Sequence, residues 1–300
     1  MLPTAALIVN GKSRRGREWY LEAKSALEKS SLDLKQCELI RDPKQIEARV
    51  QQALKNQIPL ICVGGGDGTL SLVARHFIDS EAVLGVLPLG TGNSLARDLG
   101  IPSNVQKACE IVIEGAPKAI DLGEVNGRTF VNVATIGLTT RIAEILDPDA
   151  KKKFGRAVYL VAIFKAVASH RSFHVDLEIE GEQHRFRTVQ IVVGSGRYHG
   201  GPFPILPDAS IRSGKLAGYV VTGTTRMTLI RYAWRLMRGR LADLPEVFPF
   251  EVEELSLSTV PKKRITVDGE VKMSTPAKFR SIPQAIRVML PQEANLDPDL

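Results

Sequence analysis

Residues Gly64-Gly65-Gly66-Asp67-Gly68-Thr69 combine a freely turning backbone with one carboxylate and one hydroxyl. They follow an apolar run, Ile58-Pro59-Leu60-Ile61-Cys62-Val63, and precede a helix-like run from Leu70 to Ile78. Strand, glycine turn and helix in that order let backbone N–H groups meet phosphate oxygens at the positive end of a helix, with no side chains in the way. Asp67 would repel a phosphate unless a divalent cation lay between them. The segment therefore points to a nucleotide phosphate held with a metal, most simply Mg²⁺. Neither common phosphate loop fits. Thr69 stands where the last glycine of G-x-G-x-x-G belongs, and no Gly-Lys-Ser/Thr follows.

A second turn of the same kind comes next. The apolar run Ala82 to Leu87 leads into Pro88-Leu89-Gly90-Thr91-Gly92-Asn93 and a helical stretch, Ser94 to Leu99. Two consecutive strands that each end in a Gly/Thr turn place two phosphate-sized nests at the carboxyl edge of one parallel sheet, where open α/β sheets bind ligands. Thr69 and Thr91 offer hydroxyl donors to phosphate. Asn93 serves either the ligand or the cap of the following helix, and Asp67 either a metal–phosphate pair or its own turn.

These two turns, some twenty residues apart, resemble the diacylglycerol kinase catalytic family, which includes bacterial lipid kinases and sphingosine and ceramide kinases and is distantly related to NAD kinases. Val9-Asn10-Gly11-Lys12-Ser13 is similar to that family's Asn-Pro-x-Ser-Gly, Gly194-Ser195-Gly196-Arg197-Tyr198-His199-Gly200-Gly201 to its second-domain glycine motif, and Asp268-Gly269-Glu270 to its late Asp-Gly-Glu. The resemblance implies an ATP- and Mg²⁺-dependent kinase that phosphorylates a lipid hydroxyl. Its nucleotide would be bound by Asn10, Gly64, Gly65, Gly66, Asp67, Gly68, Thr69, Gly90, Thr91, Gly92 and Asn93, with the metal near Asp67. It also implies a Rossmann-like α/β domain over residues 1–123, a β-rich, sandwich-like substrate domain over 124–291, a polar tail over 292–300, and an active site in the cleft between the two domains.

Glu270 carries the chemical step in this reading. Taken alone, Ile265 to Val271 is a hairpin with an Asp-Gly turn and a surface glutamate. In the family the late Asp-Gly-Glu supplies the candidate base, so Glu270 is expected to orient the acceptor hydroxyl and take its proton. Asp268 would form the turn. Asp121, in Ile120-Asp121-Leu122-Gly123, is expected to join an interdomain network or simply to end a buried strand. Arg197, Tyr198 and His199 are expected to line the acceptor or to serve the structure. The other four histidines have no metal-ligand spacing.

Three departures stand out. Gly11-Lys12 replaces Asn-Pro, Ser94 follows Asn93 where many members have aspartate, and Ser213 precedes Gly214 where bacterial lipid kinases have the aspartate of a structural Mg²⁺ site. The last change argues against that second metal site.

Composition sets the frame. The chain has 300 residues, 44% hydrophobic and 24% charged, as in ordinary globular proteins. Cys37, Cys62 and Cys109 fit neither zinc nor a disulfide framework, which points to a reducing compartment. Ala5 to Val9 lacks a basic leader and reads as a strand rather than a signal peptide. No apolar run approaches the roughly 20 residues that span a bilayer. A cytoplasmic protein in peripheral contact with the inner membrane face is expected.

The net charge of +7 is uneven. Arg226, Arg231, Arg235, Arg238 and Arg240 cluster without an acid, and Lys151, Lys152, Lys153 and Arg156 form a second group. Without a nucleic-acid motif, an anionic lipid surface is the better partner. A homodimer stays open.

The elements that must position these residues alternate over the first 120 positions. Strands are expected at Ala5–Asn10 and Gln36–Ile40, and helices at Arg17–Lys29, Pro43–Lys55 and Gln106–Glu114, which makes a parallel sheet covered by helices. Strands then dominate: Ala119–Asp121, Gly123–Val125, Phe130–Ala134, Phe173–Ile179, Glu182–Val193, Leu216–Val221, Ser256–Ser258, Lys263–Val267 and Ala285–Leu290. Helices are expected at Gly155–Ser169 and Met227–Leu241, the second packing on the β domain or lying at a membrane surface. A kinase for a soluble acceptor and a non-catalytic nucleotide-binding module are the two rival readings.

Overall fold

The computed structural model describes residues 3–12, 15–145, 171–199, 203–225, 228–229, 231–232, 235 and 245–292. The first part alternates: β1 (Thr4–Asn10), α1 (Gly16–Glu28), β2 (Asp33–Ile40), α2 (Pro43–Lys55), β3 (Leu60–Gly65), α3 (Asp67–Ala74), β4 (Val83–Pro88), α4 (Ser94–Asp98) and α5 (Val105–Glu114). Local chemistry sets the helix ends. Asp42 accepts from the N–H of Lys44 ahead of Pro43, and Asn104 accepts from that of Lys107. α4 stops where Gly100 takes φ +67°, with Ile101 N–H donating to Ala96 O and Gly100 N–H to Arg97 O.

Strands β1, β2, β3 and β4 are parallel, in the order β2-β1-β3-β4. Every residue of β3 is buried, as a central parallel strand covered on both faces requires.

The second part is mostly strand: β5 (Ala116–Val125), β6 (Arg128–Phe130), β7 (Val133–Gly137), then α6 (Leu138–Ile145), β8 (Phe173–Ile179), β9 (Glu182–Thr188), β10 (Gln190–Gly194), β11 (Tyr198–His199), β12 (Phe203–Pro204), β13 (Leu216–Val221), β14 (Val247–Val252), β15 (Glu254–Val260), β16 (Arg264–Val267), β17 (Glu270–Ser274) and β18 (Ala277–Leu290). A six-stranded sheet, β14-β13-β10-β7-β16-β17, faces strands of the larger sheet across a core that includes Phe130, Ile136, Phe173, Ile191, Val220, Phe250 and Phe279. This is the expected β-sandwich beside an α/β layer.

Strand β18 belongs to both halves. It pairs with β15, runs antiparallel along β5, and lies parallel to β4 at Arg287 and Val288. Ile286, Val288 and Leu290 are thereby part of the first core.

Several local expectations change. Phe130–Ala134 is not one strand but is divided between β6 and β7, which lie in different sheets. The helix expected from Leu70 begins at Asp67. Glu182–Val193 is not one strand but two, β9 and β10, in different sheets. At the corner the Thr188 hydroxyl accepts from Gln190 N–H and has Val221 O (2.8 Å) and Gln190 O (3.0 Å) as alternative acceptors for its one proton, so side-chain bonding interrupts a continuous ladder. Ala119–Asp121 and Gly123–Val125 form one strand, in which Gly123 makes room for the Phe130 ring. β14 was not expected at all.

The Gly155–Ser169 helix, Lys151–Lys153, Arg156 and the tail from 293 lie outside the described residues. So do Arg226, Arg238, Arg240 and most of Met227–Leu241. Of that last helix, Leu229 and Tyr232 are buried, and Arg231 is exposed and paired with Glu246.

Candidate active site

The two glycine turns lie side by side because β3 and β4 are adjacent and parallel. Leu89 N–H donates to Gly65 O at 2.8 Å. A Cβ on Gly90 would stand 2.5 Å from the Gly66 Cα, so Gly90 must be glycine for the turns to touch, while a Cβ on Gly66 would press on the Gly90 Cα at 3.1 Å. Asn10, at the end of β1, donates from Nδ2 to the Thr69 Oγ1 at 3.0 Å and accepts from the N–H of Lys12. Three strand ends thus converge on one patch at the N-terminus of α3, where the helix's own bonding begins only with Thr69 N–H and Leu70 N–H donating to Gly66 O, so the N–H groups of Asp67 and Gly68 precede the first intrahelical bond. Gly68 faces open space: an added Cβ there would have no neighbour within 4 Å.

Asn93 sits at φ +48° and serves its own turn. Its Oδ1 accepts from Gly90 N–H at 2.9 Å and its Nδ2 donates to Gly90 O at 3.0 Å, and it makes no side-chain cap on α4. That cap comes from the first turn: the Asp67 Oδ1 accepts from Leu95 N–H at 3.2 Å. Burial raises the Asp67 carboxyl above its ordinary range, against the opposing effect of amides at Leu95, Ser94 and Asn93, with nearby Asp268 adding to the rise. Asp67 therefore links the two turns.

Asp268 brings the second domain in. Its carboxylate accepts from the N–H groups of Val131 (2.9 Å), Asn132 (3.0 Å) and Val133 (3.0 Å), and from the Ser71 hydroxyl on α3 at 2.5 Å. Its own N–H donates to Val133 O, and its φ of +46° makes the turn with Gly269. Glu270 is exposed on the far side of that turn, at the start of β17 and opposite Val267.

Asp121 lies elsewhere. It is 1% exposed and accepts from Gly214 N–H (2.6 Å) and Gln284 N–H (2.8 Å), so it pins the 205–214 loop and a bulge of β18. Burial raises its carboxyl as well. Ser213 bonds within its own loop, to Ser210 O.

Arg197 donates from Nε to Ala209 O, and the Arg97 guanidinium lies 5.7 Å from the centre of the Tyr198 ring. His199 pairs with Phe203 through the backbone. The sequence reading overlooked Asp98, whose carboxylate receives Arg197 N–H (2.9 Å) and Tyr198 N–H (3.2 Å). One signal marks it: an acid in the last turn of a helix opposes the helix dipole and needs donors from outside.

Among the described residues no group of three or more His, Cys, Asp or Glu is placed to hold a metal ion by itself. A Mg²⁺ ion commonly rests on one or two carboxylates together with substrate phosphates and water. Asp67, in the first glycine turn, could supply one such carboxylate. No helix among the described residues is long and apolar enough to cross a membrane.

Known proteins are similar to this chain in sequence and in fold. The diacylglycerol kinase catalytic domain family matches residues 4–125, and the YegS C-terminal NAD kinase beta sandwich-like domain matches residues 132–290. A protein named "Probable lipid kinase YegS-like" from Pectobacterium atrosepticum is 30% identical over 307 residues, 98% of each chain. The "Diacylglycerol kinase" of Bacillus subtilis is 28% identical over 246 residues, 81% of each. A diacylglycerol kinase crystal structure from Bacillus anthracis has the same fold, with a TM-score of 0.76 at 22% identity over 96% of this chain and 97% of that one. From its first glycine turn to its final strand, the chain belongs to the diacylglycerol kinase-like family of lipid kinases.

Proposed function

We propose that this protein is an ATP-dependent lipid kinase that transfers the γ-phosphate of ATP to a hydroxyl of a lipid such as diacylglycerol or a sphingoid base. The observation that carries this reading is the Asp268 clamp, which fastens the turn bearing Glu270 to α3 and so to the first glycine turn. A general base two residues from a residue bonded to the phosphate-binding helix is what phosphoryl transfer between domains needs.

Each residue then has a task. The turns at 64–69 and 90–93 receive the nucleotide phosphates through backbone N–H groups and the hydroxyls of Thr69 and Thr91, with Asn10 holding Thr69 in place. Glu270 orients the acceptor hydroxyl and takes its proton as the alcohol oxygen bonds to phosphorus and the bond from phosphorus to the ADP oxygen breaks. Bound Mg²⁺ would rest on Asp67 and the phosphates, supplying charge neutralisation. Most of the acceleration comes from positioning and electrostatics. Arg197, Tyr198 and His199 are assigned to the acceptor side of the cleft. The basic clusters of the sequence, Lys151 to Arg156 and Arg226 to Arg240, favour peripheral contact with anionic lipid, at which the acceptor is presented.

The test is transfer of labelled γ-phosphate into a total lipid extract in mixed micelles. The wild type should yield a labelled lipid. Glu270→Gln should lower turnover by about 10²–10⁴-fold while leaving ATP affinity within about two-fold. Equal labelling by both proteins would remove Glu270 from the chemistry, and no labelled lipid with intact ATP binding would move the acceptor to soluble alcohols.

A further inference from the structure

We infer that Asp98 is a positioning residue that fixes the second domain's Gly196–Tyr198 segment to the helix carrying the second glycine turn, so that acceptor domain and phosphate cradle keep one alignment. The inference rests on the lipid-kinase reading for its catalytic consequence, but its geometry stands alone. α4 is held at both ends. At its start Asp67 reaches across from the first turn to Leu95 N–H. At its end Asp98 receives two amides from the other domain, Arg197 N–H at 2.9 Å and Tyr198 N–H at 3.2 Å.

The fit is close. A Cβ on Gly196 would come within 2.6 Å of the Asp98 Oδ2, so glycine is needed there for the carboxylate to reach the amides. The neighbouring Arg97 adds a stacked contact on Tyr198. Arg197 passes the connection on by donating to Ala209 O, and the same loop is pinned at its other end by Asp121 through Gly214 N–H. A five-residue helix is thus the joint between the nucleotide turn and the loop system of the β domain. The charged groups around Asp98 are Arg197 and, farther off, Asp67, with Arg97 beside it in the chain. Its carboxyl is pushed up to about 7, first by burial, against the lowering effect of the two amides and Arg197.

Three variants test this. Asp98→Ala removes the acceptor of both amides. It should speed hydrogen exchange at Arg197 and Tyr198 by at least about ten-fold and lower kcat/KM for the micellar lipid extract by about 10- to 100-fold. The dissociation constant of ATP should stay within about two-fold. Asp98→Asn keeps an accepting oxygen and should restore both readouts to near wild type. Gly196→Ala drives a methyl group against the carboxylate and should reproduce the alanine phenotype if Asp98→Ala does not fold.

Unchanged exchange and unchanged lipid kcat/KM in Asp98→Ala, or in Gly196→Ala in its place, would overturn the inference. So would a loss of ATP affinity as large as the loss in kcat/KM, which would place Asp98 in the nucleotide site. Exchange needs no acceptor. A wild type that labels no lipid therefore counts against the lipid reading, while equal exchange in wild type and Asp98→Ala counts against the joint.

Discussion

Asp67, Asp98 and Asp268 organise the site, Asp121 fixes the 205–214 loop away from it, and backbone amides answer all four. Asp67, Asp98 and Asp121 each have a carboxyl raised by burial and partly restored by N–H donors. A carboxyl whose folded pKa lies above its unfolded value gives its full stabilisation below the unfolded value and loses it as pH rises through the folded one. For Asp98 that window runs from the ordinary aspartate range to about 7. The urea midpoint of the wild type should therefore carry a component that falls as pH rises through this window, and Asp98→Asn should lack it. A midpoint series at fixed ionic strength measures the difference, and parallel slopes would show that Asp98 is not raised. Asp67 and Asp268 were legible because they stand inside Gly-Asp-Gly and Asp-Gly-Glu, where a turn and an acid coincide. Asp98 was not, because Ser94 to Leu99 reads only as a short helical stretch, and its partners lie about a hundred residues away in sequence.

Elements place these residues, and glycines decide how closely elements approach. Gly68 and Gly90 separate two reasons for glycine. Gly90 is needed for packing, since any side chain there meets Gly66 and the Asn93 Oδ1. Gly68 meets nothing, and its φ is not positive, so the fold does not require it. Gly68→Ala should raise the unfolding free energy by about 0.4–1 kcal/mol, because alanine restricts the unfolded chain and suits a helix. If phosphates approach this backbone, the same change should weaken ATP binding several-fold, read by calorimetry beside urea unfolding. Undiminished ATP affinity would remove Gly68 from the nucleotide site. The α/β alternation was legible because its strands are short apolar runs closed by glycine or proline. The β9–β10 corner was hidden, because Thr188 turns the chain by its hydroxyl within an otherwise strand-like sequence.

At the scale of the molecule, the last strand joins what the family boundaries divide. The catalytic domain match ends at residue 125, yet β4 takes its outer partner from Arg287 and Val288, and β5 is paired along most of its length by β18. Ile286, Val288 and Leu290 are each no more than 2% exposed within the first core. Burying three such side chains contributes about 5–9 kcal/mol, as much as the whole stability of a typical domain. A fragment of residues 1–125 also leaves β4 and β5 as open apolar edges, which invite pairing with other chains. That fragment should aggregate or melt without a cooperative transition. The same fragment carrying residues 277–292 on a flexible Gly/Ser linker should unfold cooperatively and bind ATP, as followed by circular dichroism and calorimetry. Cooperative unfolding of 1–125 alone would make β18 an accessory. If the prediction holds, the nucleotide-binding half cannot complete itself before the acceptor half has been made. Glu270, only seven residues ahead of β18 in the chain, follows the Asp268 turn that bonds to Ser71 on α3, so the strand that finishes the sheet also anchors the proposed base.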